Sequence, residues 1–178
     1  MDEMKIISCL DERLSRSEKK VHLKQANWQT VCGANVLLSV DDTDFNQADR
    51  AIVDWAKSNE VNLVIVEYGD PAYTQHDRAT RDNITKDLLS VTEERFEVLN
   101  APKTVLYFRR IDEMKDKNVR RYLLDFMRTN MLTFGDGEVY FAKNVLFAIA
   151  TVSKDIEHYE YYELRTVDAK DAFLYKID

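Results

Sequence analysis

Apolar residues follow two rhythms along the chain. "NVLLSV" from Asn35, "VNLVIVEY" from Val61, "KTVLYF" from Lys103 and "NVLFAIAT" from Asn144 are short runs with little polar interruption. Such runs fit strands covered on both faces, so all four, "VNLVIVEY" included, are predicted as buried parallel strands. The last is the most apolar and belongs in the middle of a sheet. Between the runs the spacing becomes helical. "ADRAIVDWAKSNE" carries Ala51, Ile52, Trp55 and Ala56; "ITKDLLSVTEERFEVLN" carries Ile84, Leu88, Val91, Phe96 and Leu99; "NVRRYLLDFMRTNML" carries Val119, Tyr122, Leu123, Phe126 and Met127. Each set lies on one face of a helix.

The first 30 residues place Ile6, Ile7, Leu10, Leu14, Val21 and Leu23 among many charges, which predicts one amphipathic helix or two. "DDTDFNQ" and "GDPAYTQHDRATRDN" read as loops. "TFGDGEVYF" sets a Gly-Asp-Gly turn between apolar residues, the signal of a small hairpin. "YYELRTV" gives a weaker fifth strand, followed by a helix start at "DAKDAF". Strands alternating with helices need right-handed crossovers. The expected class is therefore α/β, a five-stranded, mainly parallel sheet with helices on both faces and a hairpin insertion. Residues 1–178 are expected to form one domain with an N-terminal helical extension over about 1–30.

Composition sharpens this picture. Hydrophobic residues make up 45% of 178, and only 4 Gly and 2 Pro interrupt them, so long regular elements are favoured. A formal charge of -7 argues against a surface that binds nucleic acid throughout, because phosphate contacts need a basic face. One local exception is Arg13, Arg16, Lys19, Lys20 and Lys24, either a solvated helix face or a ligand-binding patch; nucleic acid is expected to be met only indirectly or through these residues. No apolar run approaches the ~20 residues that span a bilayer, and the first residues lack a signal-peptide core, so the expected location is cytoplasmic. Cys9 and Cys32 are too few for a disulfide framework. His22, His76 and His158 lack metal-ligand spacing, and no cofactor or metal is expected.

Ligands of open α/β sheets bind beyond the carboxyl ends of the strands, so the segments after Ser39, Phe108 and Thr151 are where chemistry belongs. A phosphate-binding loop after the first strand needs glycines and a lysine. Here it reads "SVDDTDFNQA", with Asp41, Asp42 and Asp44 and neither residue type. A magnesium-holding strand end needs carboxylates, yet Arg109 and Arg110 follow Phe108, and Asp112 and Glu113 arrive later. The opposed signs predict that Arg109 or Arg110 pairs with Asp41, Asp42 or Asp44; the alternative is that all five charges face solvent.

The order of elements, with "IDEM" from Ile111 and "NVLFAIATVS" from Asn144, resembles the AAA+ ATPase core, a P-loop fold. The resemblance implies the strand order 5-1-4-3-2. It places the family's acidic pair on Arg109 and Arg110, its phosphate lysine on Asn46, the following Ser/Thr on Gln47 and its sensor asparagine on Ser153. Every catalytic position departs from the pattern, whereas the apolar frame is kept over residues 35–165. "LLSVDDTDFNQADRAIVDW" with "TVLYFRRIDEM" is similar to the first domain of clamp-loader delta subunits, which also lack a working nucleotide site. The implied function is a non-catalytic binding or assembly module, a pseudo-ATPase, docking on an active ATPase or a DNA-replication factor and compatible with an oligomer. An atypical nucleotide-binding ATPase, and a viral or structural interaction protein reusing the fold, are the alternatives. Arg120, Arg121, Arg128, Tyr159 and Tyr161 are the expected partner contacts.

Overall fold

The computed structural model describes residues 1–21, 35–66, 104–113, 117–129, 131–133, 135–141, 145–154 and 174–176. Helix α1 (Glu3–Val21) is followed by β1 (Val36–Val40), α2 (Phe45–Ser58), β2 (Asn62–Val66) and β3 (Thr104–Phe108). A 3-10 turn (Ile111–Glu113), α3 (Lys117–Thr129), the strand pair β4 (Met131–Thr133) and β5 (Val139–Phe141), β6 (Val145–Ser153) and β7 (Leu174–Lys176) complete the order. The main sheet is parallel and runs β2-β3-β6-β1, with the three-residue β7 bonded to the outer side of β1. β4 and β5 form the expected hairpin, whose turn uses Gly137 at a φ of +94°, a left-handed conformation suited to glycine.

Alternation along the strands divides the core into two layers. Val36, Leu38, Val40, Val105, Tyr107, Phe147 and Ile149 face one side, where α1 and α2 cover them with Ile6, Cys9, Leu10, Phe45, Ile52 and Trp55. Leu37, Leu106, Phe108, Ala148, Ala150 and Val152 face the other, under Leu123, Phe126 and Met127 of α3. The small Ala148 and Ala150 leave room there for Phe108 and Phe126 to meet edge to face at 5.9 Å. On the first side Trp55 and Phe147 lie 5.9 Å apart, and the Trp55 indole N–H donates to Asp11 at 2.9 Å, which fastens α1 to α2. Helices on both faces and β6 at the centre therefore match the sequence expectation.

Asn35 ties the amino-terminal end of the sheet together. Its Nδ2 donates to the Met127 carbonyl and its Oδ1 accepts from the Ala148 amide, both at 2.8 Å, while its own carbonyl accepts from Arg13 at 3.4 Å. That bond explains one correction. Arg13 is buried midway along α1 and does not belong to a phosphate-binding face. Arg16 pairs with Glu12; the side chains of Lys19, Lys20 and Lys24 lie outside the described residues.

Two further expectations change, and a third is not reached by the described residues. β2 is not buried: it is bonded to β3 at the end of the described order, and Ile65 is 47% exposed. α2 starts at Phe45 rather than Ala48, because Asp44 takes the N-cap position and the residues read as a turn become the first helical turn. "YYELRTV" and the helix of residues 84–100 lie outside the described residues, and the strand seen beside β1 is Leu174–Lys176.

α2 ends in a Schellman motif. The Val61 amide donates to the Ala56 carbonyl at 2.9 Å and the Glu60 amide to the Lys57 carbonyl at 3.2 Å, with Glu60 at a φ of +54°. A left-handed residue carrying a Cβ is disfavoured by roughly 1–2 kcal/mol. Glu60→Gly is therefore expected to stabilise the protein by about 1 kcal/mol, partly offset by a floppier unfolded chain. A urea melt whose midpoint stays put or falls would contradict that.

Candidate functional site

The carboxyl ends of β1 and β6 come level at one edge of the sheet, since Val40 pairs with Ser153, while β3 ends lower on β6, where Phe108 pairs with Ala150. α2 rises from the same edge after a tight turn closed by the Asp44 amide donating to the Asp41 carbonyl at 2.9 Å. These elements frame a crevice. Its contents fall into two charged groups that meet at Thr151.

The first group centres on Arg110. Nη1 lies 2.7 Å from Glu113, and Nη2 lies 3.1 Å from Asp112 and 3.9 Å from Asp42. The guanidinium carbon Cζ lies over the ring of Phe45, the first residue of α2, 3.9 Å from its centre. Its backbone is left-handed, with a φ of +47°, and its amide donates to Thr151 Oγ1 at 2.9 Å. Asp42 also accepts from Ser153 Oγ, and Lys154 Nζ lies 3.2 Å from Asp41.

The second group is built on the buried Tyr107 and Thr151. Arg109 Nε donates to Asp49 Oδ2 at 2.7 Å, and the Tyr107 hydroxyl donates to Asp49 Oδ1. A carboxylate can only accept, so the single Tyr107 proton is committed to Asp49. The Thr151 hydroxyl, 3.2 Å from the phenol oxygen, then donates to it while accepting from the Arg110 amide. The chain of donors runs from the β3 turn through β6 and β3 to α2. Burial pushes the Tyr107 phenol far above the ordinary tyrosine range, and the bond to Asp49 pushes the same way.

The expected charge pairing is present in one form and absent in another. Arg110 reaches Asp42, but it approaches Asp112 and Glu113 more closely, because the 3-10 turn folds both back towards it. Arg109 turns to Asp49 on α2 instead of the loop aspartates. Asp44 sits at the N-cap with no side-chain cap bond. Asn46 is exposed, and Gln47 donates to Glu3 of α1 at 2.8 Å, away from the strand ends. Arg120 is 9% exposed and so is part of the α3 core face, a correction to its role as a partner contact; Arg128 pairs with Asp125, and Arg121 is exposed. Tyr159 and Tyr161 lie outside the described residues.

Asp49, Tyr107 and Thr151 escaped the sequence reading. One signal was available: Asp49 lies four residues after Phe45 and three before Ile52, so a carboxylate stands on the apolar stripe of α2. Cys9 proves to be a core residue whose thiol is pushed up by burial, with Arg13 pulling in the other direction. Among the described residues no three His, Cys, Asp or Glu side chains converge as metal ligands do, and no helix is long and apolar enough to cross a membrane.

No protein-family model matches the chain. No curated protein matches it either.

Proposed function

We propose that this chain is a non-catalytic, AAA+-like binding or assembly module that docks on an active ATPase or a replication factor, with a nucleotide crevice occupied by its own side chains. The supporting observation is the position of Arg110. Its guanidinium lies on Phe45 at the start of α2, where a phosphate-binding helix would present free amides, and Asp42, Asp112 and Glu113 surround it. Among the described residues, Asp41, Asp42, Asp44, Asp49, Asp112 and Glu113 outnumber Arg109, Arg110, Lys154 and the Met1 amino group around the crevice. A triphosphate entering it would meet net negative charge at short range, and the two arginines leave no anionic strand end to hold magnesium. The strand order β2-β3-β6-β1 agrees with the order the resemblance implies for those four strands.

A thermal melt with and without Mg-ATP tests the reading. The melting temperature is expected not to move at millimolar nucleotide. A ligand at a hundred times its Kd would add about 2.7 kcal/mol, a rise of about 5 to 10 °C for a chain of this size. A rise of that kind would sink the proposal in favour of an atypical nucleotide-binding enzyme. Partner capture with the intact chain then identifies what the module docks on.

A further inference from the structure

We propose that Arg110 is an internal ligand and that the pocket it fills is a guanidinium site, so that the crevice takes a planar cation where related folds take an anion. Both terminal nitrogens of the side chain have carboxylate partners, and Nε is buried without one among the described residues. Glu113 meets Nη1, Asp112 meets Nη2 with Asp42 farther off at 3.9 Å, and Cζ lies over the Phe45 ring, 3.9 Å from its centre. Carboxylates around the edge with an aromatic ring beneath suit a flat, delocalised cation better than a compact ammonium. Phe45 itself is almost wholly buried, so the ring is a fixed platform.

The backbone adds an independent observation. Arg110 adopts a left-handed φ that glycine would take without strain, yet the position holds the longest cationic side chain available. The same residue anchors its amide to Thr151. Seated there, the guanidinium links the end of β3 to the first turn of α2 and to the β1 loop, and it closes the crevice as a bound molecule would. The inference rests on the reading that internal charges hold the crevice, but its test uses no nucleotide, so the two fail separately.

The experiment removes the internal ligand and supplies it from solution. Arg110→Ala and Arg110→Gly are melted in increasing methylguanidinium chloride at millimolar concentrations, with methylammonium chloride and sodium chloride as matched controls. Both variants are expected to melt several degrees below the parent. Methylguanidinium is expected to recover part of that loss with saturation, the controls to recover none, and the parent to show no saturable rise. Adding Phe45→Leu to either variant should abolish the recovery. Equal responses to all three salts, or the same response in the parent, would overturn the proposal. Arg110→Lys decides the matter if the smaller variants do not fold: it should melt several degrees low, and a parent-like melting temperature would show that charge alone is needed.

Discussion

Phe147→Ala is expected to lower stability by about 3–5 kcal/mol, the usual range for emptying a large aromatic site in a core. Phe147 is fully buried in the central strand, and its ring packs beside Trp55 at 5.9 Å. Neither neighbour can follow it inward. Phe147 sits on β6, bonded on both sides, and Trp55 is held by the bond to Asp11. With total stabilities of roughly 5–15 kcal/mol for native domains, such a loss approaches the whole margin. A melting temperature lower by on the order of 10 °C should follow. Ile65→Ala on β2, the last strand of the described order, supplies the contrast, because Ile65 is 47% exposed and its loss should stay below about 1 kcal/mol. Similar losses from both substitutions in urea melts would show that the assignment of centre and edge is wrong.

The second large effect belongs to Asp49. Asp49→Ala is expected to destabilise by about 2–3 kcal/mol, most of it from leaving the buried Tyr107 hydroxyl with no carboxylate to donate to. The Arg109 contact contributes less, since that side chain is 37% exposed and solvent screens the pair. Tyr107→Phe removes the donor instead and should cost only about 1 kcal/mol, because Asp49 keeps Arg109. The two substitutions share one bond, so the double variant should be less damaged than the sum of the singles by about 1 kcal/mol. Strict additivity in the double-mutant cycle would mean that the phenol and the carboxylate do not act together.

Much of the frame was legible because burial on both sides of a sheet leaves a simple trace. β1, β3 and β6 read as apolar runs with little polar interruption, and α3 carries its inward residues three and four apart. The same trace misleads at β2. "NLVIV" has the composition of an interior strand, and no local feature states that only one neighbour is bonded to it among the described residues. The start of α2 was misplaced because Asp and Asn favour turns and helix caps for the same reason, a short polar side chain near the backbone.

The crevice was legible in sign but not in partner. Adjacent arginines after β3 and aspartates after β1 announced that charges of opposite sign would meet. Which arginine took which carboxylate depended on two distances that a linear pattern does not contain. The 3-10 turn returns Asp112 and Glu113 to Arg110, and α2 brings Asp49 over the end of β3. Tyr107 counted as one more apolar residue of a strand, and its hydroxyl became visible only through its neighbours.

The place of β6 in the sheet also bears on how the chain reaches its fold. β1 and β3 are not neighbours; β6 lies between them, pairing Val36 with Ile149 and Tyr107 with the same Ile149. The gap stays empty until a segment more than a hundred residues downstream of β1 has left the ribosome. Until then both inner strands expose unpaired backbone, and closing so long a loop is slow. Nascent chains arrested before Val145 should therefore be the ones that aggregate or recruit chaperones.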